Sequence, residues 1–286
     1  MGNHIGGERP GSTVSHEADS AEPEGSVTAC RDGAVLRLTL DRPARRNSLT
    51  PLMIEKLVDT LTEAAADDSL RAIHIRGAAE HFCGGADWVA TNSPGGQRPR
   101  SGDLVRRIPH AAHRVIELIG SIQLPVVCGV RGWAVGIGCN LALAADFTVA
   151  ATDAVFWEPF VERGFSPDSG STWLLPRLVG VARARRMLLL GEKVSATDAA
   201  DWGLIHQAVS ATELDDTVEE LLARLASGPT VAIGLAKQAL SFGQHATLSQ
   251  SMTQELYSLE LSCRTNDFKE GLEAFRQRRA PKFQGR

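Results

Sequence analysis

The sequence has no apolar run long enough to span a bilayer, and its first residues lack the hydrophobic core of a secretory signal. Neither a membrane protein nor an exported one is expected, and no membrane partner. C-x-x-C spacing is also missing. The five cysteines (Cys30, Cys83, Cys128, Cys139, Cys263) are odd in number and scattered, which reads as reduced thiols in a cytoplasmic protein. There is no excess of positive charge: the net charge of -4 gives no electrostatic footprint for nucleic acid. Nucleotide fingerprints are incomplete. Gly136-x-Gly138 is followed by Leu141 where the third glycine belongs, and no P-loop lysine follows. Gly164-x-Ser166-x-Asp168 lacks the closing glycine of a serine-hydrolase elbow. His110 and His113 are spaced to share a helix face, but no carboxylate or cysteine completes a metal ligand set, so both read as surface histidines.

What remains is an ordinary globular composition, 286 residues with 43% apolar and 22% charged, enough for an ample core. Residues 1–25 are rich in Gly, Ser, Glu and His and read as a disordered tail. Ala34 to Leu40 alternates as a strand, and Thr50-Pro51 starts a helix with Thr as N-cap and Pro at the first position. Ile54, Leu57, Val58, Leu61 and Ala65 give that helix its apolar face. Ala72 to Ile75 is a strand. Ser93 to Gly102 reads as a mobile loop, and Val105 to Ile119 is helical in period. Further short strands fall at Thr148 to Ala150, Ala154 to Trp157 and His206 to Val209. Helical patterns dominate Ser169 to Trp202 and return from Thr212 to Arg279. Strand–helix units followed by an all-helical end predict an α/β core with a helical C-terminal region.

The chain is organised around the stretch from Pro125 to Ala145. A buried strand ending at Val130 leads through a glycine-punctuated turn into a small-residue helix from Gly138. Such a turn gathers backbone N–H groups at the positive end of a helix dipole, ready for a negative charge. A second glycine turn, Gly84-Gly85, follows the strand at Ala72. Singly, each turn reads as a tight connection. Together they can set two N–H donors either side of one oxygen.

Five motifs in order make the chain resemble the enoyl-CoA hydratase/isomerase (crotonase) superfamily. They are Arg42-Pro43 through Arg46-Asn47-Ser48-Leu49, then Phe82-Cys83-Gly84-Gly85-Ala86-Asp87, and Gly132-Trp133-Ala134-Val135-Gly136-Ile137-Gly138-Cys139. Ala199-Ala200-Asp201-Trp202-Gly203-Leu204-Ile205 and Arg278-Arg279-Ala280-Pro281-Lys282-Phe283 complete the set. The resemblance implies a spiral of ββα repeats over 26–210, and a helical oligomerisation region over 211–286 that forms trimers or dimers of trimers. It implies an oxyanion hole made by the main-chain N–H groups of Ala86 and Ile137, holding the thioester oxygen of an acyl-CoA. Ile137 stands where the family usually has glycine, which changes the space beside the thioester without removing the N–H. Arg45, Arg46, Ser48, Gly84, Gly85, Asp87, Trp88, Gly136 and Gly138 would line the substrate channel. Lys282 would reach a CoA, its own or that of a neighbouring subunit. No cofactor is implied beyond the coenzyme A of the substrate.

The family's hydratases use two glutamates, which fall here at Asn140 and Phe160. Neither an amide nor a phenyl ring moves protons near neutral pH, so two-glutamate hydration is not expected and both residues become substrate contacts. Asp168 remains. The stretch from Gly164 to Gly180 is similar to the family's isomerases, above all the 1,2-epoxyphenylacetyl-CoA isomerase branch, and dienoyl-CoA isomerases place a catalytic aspartate here. One base suffices to move a double bond from position 3 to 2. The competing local reading makes Asp168 the N-cap of the helix that follows. The family's 4-chlorobenzoyl-CoA dehalogenases carry a nucleophile at this position, but with tryptophan in place of Phe160. Glu158 and Glu162 flank the loop and could substitute as the base, but read first as surface or ion-pairing groups. An acyl-CoA-binding protein without activity, and an atypical hydratase, stand as alternatives.

Overall fold

The computed structural model describes residues 24–87 and 100–286. Trp88, residues 1–23 of the expected tail and 93–99 of the expected mobile loop lie outside the described residues. Strands β1 (Ser26–Asp32), β2 (Val35–Asp41), β3 (Ala72–Gly77), β4 (Val126–Val130), β6 (Phe147–Ala151) and β9 (Gln207–Val209) form one sheet in the order β1-β2-β3-β4-β6-β9. Only the β1–β2 hairpin is antiparallel. A smaller sheet holds β5 (Trp133–Val135), β7 (Val155–Trp157) and β8 (Val194–Ser195). An isolated bridge from Cys83 to Ala134 extends it.

The helices are α1 (Pro51–Ala64), α2 (Asp103–Arg107), α3 (Ala112–Ser121), α4 (Ile137–Ala144), α5 (Ser171–Leu190), α6 (Ala196–Asp201), α7 (Leu214–Ala226), α8 (Thr230–Gly243), α9 (Leu248–Ser262) and α10 (Asn266–Gln277). The chain repeats one move. It passes from the large sheet (β3, β4, β6) to the small one (Cys83, β5, β7) and then into a helix (α3, α4, α5). This is the expected spiral of ββα units, and it brings the ends of successive repeats to one place.

Strand alternation explains the layers. Ile73, Ile75, Val126, Cys128 and Val130 point into the main core, while Ala72, Val127 and Val149 face α7 and pack on Leu214, Val218 and Leu222. Helix α8 is tied to this body by Lys237, which is buried and donates to the carbonyls of Ile119 (2.8 Å) and Leu124 (3.2 Å) and to Asp146 (2.6 Å). Burial pushes the Lys237 pKa down, and the Asp146 carboxylate opposes that shift.

Three local expectations change. In α1, Thr50 caps as expected, accepting from the Met53 N–H at 3.3 Å, but Ala64 is the buried residue and Ala65 is exposed at the end. The helical pattern from Val105 to Ile119 is broken in two. Pro109 has no N–H to donate, and Ala111 sits outside the helical region at φ -121°, ψ -97°, so α3 starts afresh at Ala112. The stretch from Ser169 to Trp202 is α5, bent at Gly180 (φ 74°), then β8 and α6.

Candidate active site

The two glycine turns are stitched together by the small sheet. The Cys83 N–H donates to the Trp133 carbonyl and the Val135 N–H to the Cys83 carbonyl, both at 2.9 Å. Gly136 then donates to the Trp157 carbonyl (2.8 Å) and takes φ 54°, ψ -123°, a conformation that a side chain strongly disfavours. Gly85 (φ 101°) lies so close that a Cβ on it would sit 3.1 Å from the Val135 carbonyl oxygen. Thus Ala86 and Ile137, each the next residue, are brought to the same cavity wall. Ile137 is the first residue of α4, where N–H groups have no intrahelical acceptor. Among the described residues, neither the Ala86 nor the Ile137 main-chain N–H donates to another group.

That wall bounds a cavity of about 540 Å³, mostly apolar, reached by Gly84, Gly85, Ala86, Gly136, Ile137, Phe160 and Asp168. Phe160 is buried and packs edge-on against Phe165, with ring centroids 5.6 Å apart. Arg107, His110 and Arg163 also line it, as do the carboxylates of Glu55 and Asp59.

Asp168 does not cap α5. Gly170 occupies the cap position in the left-handed region with no side-chain bond. The main chain of Asp168 is instead clamped. Its carbonyl accepts from the Ser171 N–H (3.2 Å), the Ser171 hydroxyl (3.0 Å) and Asn140 Nδ2 (3.4 Å). Ser169, next in the chain, is buried with φ 57°, a left-handed setting that costs a non-glycine residue about 1 kcal/mol. The Asp168 side chain meets His113, with Oδ1 at 2.6 Å from Nε2.

Several expected channel residues lie elsewhere. Asn140 is fully buried and holds the Asp168 loop rather than facing the cavity. Gly138 is a packing glycine: a Cβ there would lie 2.6 Å from the Cys83 Cβ and carbonyl oxygen. Ser48 and Asp87 are engaged by Arg42, whose Nη1 donates to them at 3.1 Å and 2.6 Å, so they brace the rim. Arg45 and Arg46 are exposed; their backbone packs under Gly84, whose N–H donates to the Arg46 carbonyl at 2.7 Å. Lys282 is exposed in a separate groove with Glu270 and Arg279, away from this cavity's lining. Trp88 lies outside the described residues.

Two groups escaped the sequence reading. His113 reads from sequence as an ordinary surface histidine, and its only signal there is the spacing from His110. Glu158 was read as a surface group, yet it is fully buried, and neither carboxylate oxygen has a hydrogen-bond partner among the described residues. Burial pushes its pKa well above the ordinary glutamate value, and the Cys139 thiol of α4 alongside opposes that shift. Glu158 does not line the cavity.

Comparison with known proteins agrees with this architecture. The family model described as enoyl-CoA hydratase/isomerase matches residues 31–286. The 1,2-epoxyphenylacetyl-CoA isomerase of Escherichia coli K12 is 38% identical over 253 residues, covering 88% of this chain and 95% of that protein. The 2,3-dehydroadipyl-CoA hydratase of the same organism is 34% identical over 256 residues, covering 90% and 97%. Among solved structures, an enoyl-CoA hydratase from Bacillus anthracis superimposes with a TM-score of 0.84 at 30% identity, covering 91% of this chain and 99% of that one.

Proposed function

The chain belongs to the enoyl-CoA hydratase/isomerase family, which acts on acyl-CoA thioesters, and from that premise we propose that it is an enoyl-CoA isomerase working through Asp168. One observation carries the reading. Asp168 opens on the same cavity as two unpaired main-chain N–H groups, while positions 140 and 160 hold Asn and Phe. The Asp168 carboxylate removes a proton from Cα of a 3-enoyl thioester. The electron pair moves onto the thioester oxygen, which the Ala86 and Ile137 N–H groups stabilise as a dienolate. The carboxyl then returns the proton at Cγ, leaving the double bond at position 2. Neither a metal nor a cofactor enters this sequence.

Hydration would need a second group to activate water. Glu158, two residues before Phe160, is buried, does not line the cavity and does not supply one. The test is to supply 3-enoyl-CoA and 2-enoyl-CoA separately and follow double-bond migration and water addition. Migration without hydration is expected. Hydration of 2-enoyl-CoA at a comparable rate would make the protein a hydratase, and tight CoA-ester binding with neither reaction would make it a binding protein.

The arginines at 45, 46, 107 and 163 suit the phosphates of CoA at the rim and mouth of the cavity. The free cysteines suit a reducing, cytoplasmic setting.

The oligomer we propose is a trimer, or two trimers paired. Helix α9 buries none of its residues, yet Leu248, Met252, Leu256 and Leu259 recur on it at helical spacing and are 78%, 54%, 66% and 56% exposed. An apolar stripe of this kind calls for a covering partner. In a trimer Lys282 would serve a neighbouring subunit. Light scattering is expected to give the mass of three or six chains, and Leu256→Glu to lower it to one. A monomeric wild-type mass would remove the proposal.

A further inference from the structure

We propose that His113 is the positioning residue of the base. It holds Asp168 Oδ1 so that protons enter and leave through Oδ2, an inference that rests on the isomerase reading of the site.

Asp168 is half-exposed, its side chain 30% accessible, and an aspartate in that setting ordinarily samples several rotamers. Its backbone is fixed by the left-handed Ser169 and Gly170 and by the donors on its carbonyl. None of these contacts orients the carboxyl group itself. Among the described residues, the hydrogen bond that does is His113 Nε2 to Oδ1 at 2.6 Å.

A carboxylate only accepts, so Nε2 carries the hydrogen in this pair. The bond therefore survives the catalytic cycle. When Asp168 takes the substrate proton on Oδ2, Oδ1 becomes the carbonyl oxygen of the acid and still accepts from Nε2–H. His113 in this way assigns the two oxygens different tasks, one anchored and one reactive. A base that must reach both Cα and Cγ from one location gains from such fixing, because misplacement by about 1 Å can cost about 100-fold in rate.

The anchor is itself rigid. His113 lies in the first turn of α3, a helix held by buried Val115, Leu118 and Ile119. It reaches Asp168 because Pro109 and Ala111 break the preceding helical run, which lets α3 begin where the Asp168 loop passes. A bland surface ion pair of the same geometry would leave turnover unchanged, so the two readings separate by experiment.

His113→Gln keeps an N–H donor near the place of Nε2, and His113→Phe keeps the ring volume without a donor. Both side chains suit a position that is 37% exposed, and equal thermal melts would verify the fold. With 3-enoyl-CoA as substrate, His113→Phe is expected to lower kcat by about 10- to 100-fold with KM unchanged, and His113→Gln to stay within about threefold of wild type. Wild-type kcat in the Phe variant would overturn the proposal, as would a Gln variant no better than the Phe one. A wild-type protein that moves no double bond would sink the isomerase reading, and this proposal with it. Normal wild-type turnover with an indifferent His113 would sink the proposal alone.

Discussion

Asp168→Asn is expected to lower isomerase turnover by about 10³-fold or more, roughly 4 kcal/mol in the barrier, while leaving CoA-ester affinity nearly unchanged. The substitution is isosteric. The asparagine carbonyl still accepts from His113 Nε2, and the main-chain clamp on residue 168 does not involve the side chain. What disappears is the ability to take a proton from Cα. The other carboxylates on the cavity, Glu55 and Asp59, are exposed residues of α1. Loss of kcat at constant KM is the signature of an interaction made only in the transition state. Undiminished turnover in this variant would remove Asp168 from the chemistry.

The parts of this protein written in local chemistry were legible in its sequence. Thr50-Pro51 announces α1 because capping and the proline φ are properties of neighbouring residues. The glycine turns at 85 and 136 are legible because a positive φ needs a residue without Cβ. The run from Val105 to Ile119 misled because its apolar period continues through Pro109, and period alone does not register the lost hydrogen bond. Asp168 looked like an N-cap because Asp before a helix usually is one. Here two left-handed residues intervene, and the helix starts later.

What stayed hidden depends on contacts far apart in the chain. His113 and Asp168 are 55 positions apart, and nothing local in either marks the other. Gly138 reads as a channel residue because it lies in the turn, but its missing side chain serves the approach of Cys83. Glu158 was the least legible of all. Charge places a glutamate on the surface by default, and only the assembled spiral shows that β7 carries this one inward, behind the first turn of α4.

That burial leads to the second large effect, on stability rather than turnover. Folded, Glu158 has its pKa raised well above the ordinary value by burial, so it stays protonated at pH values where the unfolded chain ionises. The unfolded state then binds fewer protons than the folded one. Stability contributed by the neutral form is fully present below the unfolded pKa, near 4.3 on the reference scale, and is lost as pH rises toward the folded value at about 1.4 kcal/mol per unit. Glu158→Gln removes the ionisation and therefore the slope. Urea unfolding at pH 5, 6 and 7, at one fixed protomer concentration, is expected to show wild type losing stability relative to the variant as pH rises. The absolute offset at pH 5 is of less consequence, because a buried amide has hydrogen-bonding demands of its own. Parallel profiles would show Glu158 charged in the fold and matched by a partner. The neutral form also suits the chemistry, since an ionised carboxylate behind the first turn of α4 would oppose the negative charge that the Ile137 N–H is placed to hold.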